Sequence, residues 1–298
     1  MNILNYSLLE GNFLVIIIIN FLILHIFHFR ASFSLQFPGI IRLFSRFEMY
    51  FMKFMFILLK NKYLYKNRLI RFIPEYLSFY AANGVRPVVY TLEEIKNIIN
   101  QLYKTYYPSS EDNYDFLVRP CPCRDAQRKY SKKLPNITDI LFVKNMKKYP
   151  KTKDNYFINR EELFKKLEFF DKIGLVHMVL GCMGVNGAGI NICNCHKSVC
   201  YVLQAVLGRD IKRGLKKGPS IAIVNIDKCK GVDQCGECLK RCVFHARKVI
   251  DNKSIVISEN CYGCGLCANS CPENATIMIP RENWEPVYFP IKWTRGIT

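Results

Sequence analysis

The front of the chain is apolar on every side: Phe13 to Phe29 read FLVIIIINFLILHIFHF, with no Lys, Arg, Asp or Glu. A helix of that run is just long enough to cross the apolar layer of a bilayer, although Asn20, His25 and His28 interrupt it. No basic residue precedes it and no small-residue cleavage site follows, so a secretory signal fits poorly. Between Phe37 and Leu59 the pattern changes. Ile40, Ile41, Leu43, Phe44, Phe47, Phe51, Phe54, Met55 and Leu58 alternate with Arg42, Arg46 and Lys53, as in a helix lying at an interface. A helix buried in a globular core has the same pattern.

Further on the periods are those of a folded domain. Thr91 and Glu94 form a capping box ahead of Leu92, Ile95, Ile98, Ile99 and Leu102, which predicts a helix over 92–107. Phe116 to Val118 reads as a short strand, and the Lys- and Pro-rich stretch from Ser131 to Asn155 as an exposed excursion. Asn159 and Glu162 start a second helix, with Leu163, Leu167 and Phe170 inward and Gly174 at its end. Leu175 to Leu180 is strand-like, Gly181 to Gly189 a turn, Ile190 to Ile192 a returning strand, and Val199 to Leu207 a helix. Arg209 to Pro219 reads as a linker. The glycines of the turn do not make a nucleotide loop, because no long helix follows them and they open onto cysteines.

Charge divides the chain. Residues 219–298 carry 10 Lys/Arg against 8 Asp/Glu, a net +2, which leaves +17 of the total +19 on residues 1–218. From Arg30 to Arg71 there are nine basic residues against the single acid Glu48. By the positive-inside rule everything downstream of the first run is expected on the cytoplasmic face of a membrane. An anionic membrane surface is the expected partner of this basic front, and nucleic acid is not expected.

The 14 cysteines all lie at or after Cys121, mostly in runs separated by one to five residues. Disulfides seldom join such close neighbours, whereas metal sites use such spacings. Metal ligation implies a reducing compartment. The strongest pattern is Cys261-x2-Cys264-x2-Cys267-x3-Cys271-Pro272, the run with which bacterial iron–sulfur proteins grip a cubane. Three thiolates on a tight turn take three corners, Gly263 and Gly265 let amides face the sulfides, and the fourth cysteine leaves toward a second cluster. A second copy lies upstream as Cys229-x5-Cys235-x2-Cys238-x3-Cys242. Strand signals open the region at Ile221 to Ile226 and follow each half, at Lys248 to Ile257 and Thr276 to Ile279. Zinc also suits four close cysteines, but the duplication and the complete spacing favour iron.

On these motifs residues 219–298 resemble the two-cluster [4Fe-4S] ferredoxin family. The resemblance implies one cluster on Cys229, Cys235, Cys238 and Cys271 and another on Cys261, Cys264, Cys267 and Cys242, with single-electron transfer as the function. The first half departs by an insertion, Val232-Asp233-Gln234, expected to loop out, and by Val243 where proline is usual.

Two further groups, Cys121 with Cys123 and Cys193 with Cys195 and Cys200, suggest a third site, iron–sulfur or zinc. Cys121, Cys123, Cys193 and Cys195 are the expected ligands, with Cys200 as substitute or fifth thiol. His177 is a weaker candidate, and Arg124 stands where it would steady a thiolate-rich centre or an anionic substrate. The motifs CPCR, GLVH and ICNC, in this order, resemble uncharacterised archaeal and bacterial iron–sulfur proteins with a ferredoxin tail, a likeness reaching back to residue 75.

The sequence therefore predicts an α+β protein in three parts: a hydrophobic, basic, membrane-associated segment with an N-terminal helix (1–72), a mixed cysteine-bearing domain (73–218), and a two-cluster ferredoxin-like domain (219–298). The expected role is electron transfer as a membrane-associated subunit of an oxidoreductase, working with redox partner proteins. No acid–base pair or nucleophile is evident. The alternatives are a redox enzyme with a catalytic metal site in the middle domain, or a redox or metal sensor.

Overall fold

The computed structural model describes residues 50, 52–80, 86–106, 116–143, 154–182 and 189–286. The hydrophobic run at 13–29 and residues 37–49 of the following stretch lie outside them. Among the described residues no helix is long and apolar enough to cross a membrane.

The architecture is α+β. At its centre is a six-stranded sheet made of β1 (Val88–Tyr90), β2 (Phe116–Pro120), β3 (Ile137–Val143), β4 (Tyr156–Ile158), β5 (Val176–Cys182) and β6 (Gly189–Cys195), in the order β1-β5-β6-β3-β2-β4. Every pairing within it is antiparallel. Strand side chains point alternately to the two faces, and here both faces are covered. Val88, Phe116, Val118, Ile140, Phe142, Val179, Ile190 and Ile192 bury one face against the helices Leu92–Tyr106 and Arg160–Lys172. Val89, Val176, Met178 and Cys195 line the other, under the helix Tyr201–Arg209 and the C-terminal module.

In chain order the helices are α1 (52–60), α2 (Lys62–Lys66), α3 (Arg68–Tyr80), α4 (Leu92–Tyr106), α5 (Pro122–Gln127), α6 (Arg160–Lys172), α7 (Tyr201–Arg209), α8 (Glu237–Arg241) and α9 (Leu266–Asn269). The caps of α4 and α6 form as the sequence predicts. The Glu94 carboxylate accepts from Thr91 N–H at 2.7 Å while Thr91 Oγ1 accepts from Glu94 N–H. Asn159 and Glu162 form the same reciprocal pair.

Two expectations change. The stretch Ser131–Asn155 is not wholly an excursion, since Ile137–Val143 is β3, seated between β6 and β2. Thr138 and Asp139 are buried there, and these polar residues, with flanking lysines and prolines, mask an inward-facing strand. Segment 209–219 is not a free linker: Ile211 and Leu215 are buried, and Lys216 exchanges backbone hydrogen bonds with the start of β1. Of the alternating stretch before Leu59 the structure describes α1, which packs one face on the protein and leaves Phe54 and Ile57 exposed. Phe56 meets Tyr201 edge-on at 5.6 Å, Leu59 packs with Ala205 and Ile211, and Arg209 Nε donates to Leu59 O.

The C-terminal module docks on the end of α6. Asn269 Nδ2 donates to both carboxylate oxygens of Asp171 at 3.1 Å. Arg241 Nη2 donates to the carbonyls of Asp171 and Lys172. Gly174 ends α6 at φ +85°, and a Cβ there would stand 3.0 Å from Arg241 Nη1.

Candidate metal centres

The module repeats one plan. β7 (Ser220–Val224) pairs antiparallel with β10 (Thr276–Pro280), and β8 (Arg247–Ile250) pairs with β9 (Lys253–Val256) as a hairpin. Each half carries a cysteine loop that runs into a single short helix, α8 or α9, entered through a left-handed glycine, Gly236 at φ +66° or Gly265 at φ +77°. A side chain rarely adopts that backbone conformation. Gly263, at φ +80°, has a further constraint: a Cβ there would lie 2.1 Å from Ser220 O.

Two cavities result, and their linings cross between the halves. Cys229, Cys235 and Cys238 of the first half share one cavity with Cys271 of the second. Cys261, Cys264 and Cys267 share the other with Cys242. Ala222, Ala246, Val256 and Met278 supply apolar walls around the second. The sulfurs also receive donors: Ala246 N–H reaches Cys242 Sγ at 3.1 Å and Arg247 Nη2 reaches Cys267 Sγ at 2.9 Å.

Burial raises the thiol pKa of Cys264, with Cys267 adding to it, and that of Cys242 despite the Ala246 amide. Burial likewise outweighs the nearby Arg247 and raises Cys267. Cys271 moves the other way. Burial opposes its thiolate, but the amides of Thr276, Ala275 and Glu273 outweigh it. Four thiols, an apolar wall and inward N–H groups fit a [4Fe-4S] cluster in each cradle, since such a cluster needs thiolate ligands and hydrogen bonds to its sulfurs. A bound cluster supplies a reversible one-electron couple.

Both departures from the ferredoxin pattern have a place in the fold. Asp233 and Gln234 are exposed as expected of an insertion, but the loop is tied down, because Asn252 Oδ1 accepts from Val232 N–H and Asp233 N–H. Val243 is buried beside Phe244, whose ring stacks on Tyr262 at 4.4 Å, in the apolar layer against the central sheet.

The middle cysteines converge as well. Cys121 is the N-cap of α5, with Pro122 at its first position, and Cys200 is the N-cap of α7. β6 brings Cys193 and Cys195 to the sheet face below them. Side-chain contacts link Cys121 to Cys123, Cys123 to Cys200, Cys200 to Cys195, and Cys195 to Cys193. Hydrogen bonds from Cys123 and Cys195 outweigh burial at Cys200 and bring its pKa down to about 5. At Cys193 a hydrogen bond from Cys195 favours the thiolate, but burial and the Asp139 carboxylate prevail and push it up to about 11. Among the described residues no three His, Cys, Asp or Glu side chains are grouped to hold a lone metal ion.

Two expected participants stand elsewhere. His177 lies on the opposite sheet face, its Nδ1 2.6 Å from Asn194 Oδ1 and its Nε2 3.7 Å from Asp171 Oδ1. The Arg124 side chain is fully buried, and its guanidinium donates to Pro135 O, Thr138 Oγ1 and Asn194 O, tying α5 to β3 and β6. Asp139, which sequence reasoning missed, lies across from Cys193, accepts its Sγ–H at 3.2 Å and pairs with Arg119 at 2.6 Å. A lone acid in a stretch read as exposed carries no signal of that role.

Residues 254–276, which include Cys261, Cys264, Cys267 and Cys271, match the 4Fe-4S binding domain family. No curated protein and no solved structure matches the chain. The C-terminal part thus contains a 4Fe-4S binding domain, and the chain reads as an iron–sulfur electron-transfer protein.

Proposed function

We propose that the C-terminal module binds two [4Fe-4S] clusters and passes single electrons between them. The observation that carries the reading is the crossed lining, in which each cradle takes three cysteines from its own half and the fourth from the other. The first cluster is held by Cys229, Cys235, Cys238 and Cys271, the second by Cys242, Cys261, Cys264 and Cys267. Because each half ligates both clusters, the module cannot lose one centre without loosening the other.

The protein acts as an electron-transfer component of an oxidoreductase, exchanging electrons with redox partner proteins. Its basic, hydrophobic front holds it at the cytoplasmic face of a membrane, a reading supported by the uncharged run 13–29 and the basic residues after it. The test is anaerobic purification followed by reductive titration. Broad blue-edge absorbance that bleaches with dithionite, with two reducible centres assigned to the module, is expected. A colourless protein that carries zinc and no acid-labile sulfide excludes the reading.

A further inference from the structure

Five thiols drawn from three separate segments meet behind the central sheet, all of them free. Packing alone does not require sulfur to gather there. The surrounding groups also favour negative charge. The amides of Arg124, Tyr201 and Leu203 donate to the sulfurs of Cys121, Cys123 and Cys200, and N–H donors of this kind stabilise thiolates and the clusters they hold.

Arg124 supplies a second, independent observation. Its guanidinium is wholly buried, its three acceptors are neutral oxygens, and its Nε has no hydrogen-bond partner. Among the described residues no carboxylate pairs with it. A buried cation left without a counter-charge costs several kcal/mol. One of its acceptors, Asn194 O, belongs to the residue between Cys193 and Cys195, so the unpaired cation is tied to the strand that carries these two thiols.

Cys193 differs from the other four. It donates to Asp139 Oδ1, and Arg119 fixes that carboxylate. To become a ligand it would have to give up this bond and carry a negative charge beside a buried carboxylate. Cys200, by contrast, sits at the middle of the contacts, touching both Cys123 and Cys195.

We propose that Cys121, Cys123, Cys195 and Cys200 hold a third iron–sulfur cluster, that Cys193 remains outside its ligand set as a thiol bonded to Asp139, and that this centre exchanges electrons with the cradle containing Cys264. The exchange rests on the two-cluster reading; the metal site does not. Cys195 and Cys200 belong to the same buried apolar cluster as Val243, Phe244, Tyr262 and Leu266, and Cys193 and Cys264 pack against it. The two sites therefore share one dry, contiguous wall. In the step, one electron leaves the reduced cradle cluster, which is oxidised, and reduces the third centre. No bond forms or breaks and no proton moves.

The test compares metal and sulfide content across variants of the full chain, purified anaerobically. The double variant Cys123→Ser/Cys200→Ser is expected to lose about four irons and four sulfides relative to the unsubstituted chain, and Cys193→Ser to lose none, since a cubane carries four of each. This difference is independent of the module, because a module with fewer clusters lowers every total equally. Equal iron in the unsubstituted chain and the double variant, loss of zinc in place of iron, or loss of iron in Cys193→Ser overturns the proposal. If the double variant does not fold, an EPR titration of the unsubstituted chain decides. A centre whose spin couples to that of the Cys264 cradle, beyond the signals of the two cradles, supports the proposal, and its absence overturns it.

Discussion

Arg247 Nη2 donates to Cys267 Sγ at 2.9 Å, and its charge also acts on Cys238 and Cys242. One cation thus serves sulfurs of both cradles. Reduction adds a negative charge to a cluster, so a fixed positive charge stabilises the reduced state more than the oxidised one. Arg247→Gln is expected to make both potentials more negative, most at the Cys267 cradle. A charge-assisted hydrogen bond of about 1.4 kcal/mol corresponds to a fall of about 60 mV for one electron. Redox titration followed by EPR reads the shift, and an unchanged or raised potential would show that Arg247 is only a packing residue.

Gly263 and Gly208 give opposite responses to alanine. At Gly263 a Cβ would meet Ser220 O at 2.1 Å in a backbone conformation of φ +80°, so Gly263→Ala is expected to destabilise the module by on the order of 1–3 kcal/mol. Gly208 lies in α7 with nothing within 4 Å of an added Cβ. Gly208→Ala is expected to stabilise by about 0.5–1 kcal/mol. Denaturant melts of both variants check the pair of signs.

The contact between domains runs through Asp171. Its carboxylate is buried at the end of α6, accepts twice from Asn269 and faces His177 Nε2. Asp171→Ala removes the acceptor of the Asn269 amide and the carboxylate that faces the buried His177, an expected loss of about 1–3 kcal/mol. Because the module's own pairing β7–β10 is untouched, its absorbance is expected to persist while proteolysis between residues 209 and 219 becomes easier. Unchanged proteolysis would assign the docking to the apolar layer alone.

Arg124→Lys tests the buried guanidinium. Lysine keeps the charge but not the planar fork that spans Pro135 O, Thr138 Oγ1 and Asn194 O. A loss of on the order of 1–3 kcal/mol in stability is expected, with the absorbance of the module retained. A variant as stable as the parent would contradict the tying role.

What the sequence made legible follows from how local each cause is. The two helix caps, the cysteine repeat and the strand signals that follow each half depend on residues a few positions apart, and their patterns survive in the chain. β3 escaped notice because its identity depends on both neighbours: Thr138 and Asp139 interrupt its apolar run, and only β6 and β2 explain why they are buried. The segment after Arg209 read as a linker because its glycines and lysines hide two anchors, Ile211 and Leu215. In the middle site the cysteines and their gathering into one site were visible, but the order of contacts among them was not. Nothing in spacing alone distinguishes Cys193, bonded to Asp139 from another strand, from Cys200, set at a helix start between two other thiols.

The central claim is that the two halves of the module exchange their fourth ligands. EPR of the dithionite-reduced protein with Cys235→Ser, Cys242→Ser, Cys264→Ser and Cys271→Ser, each compared with the parent, tests it most directly. The account predicts that Cys242→Ser and Cys264→Ser alter one and the same signal, and that Cys235→Ser and Cys271→Ser alter the other. If Cys242→Ser instead disturbs the signal that Cys235→Ser disturbs, each half holds its own four thiols and the crossed arrangement is wrong.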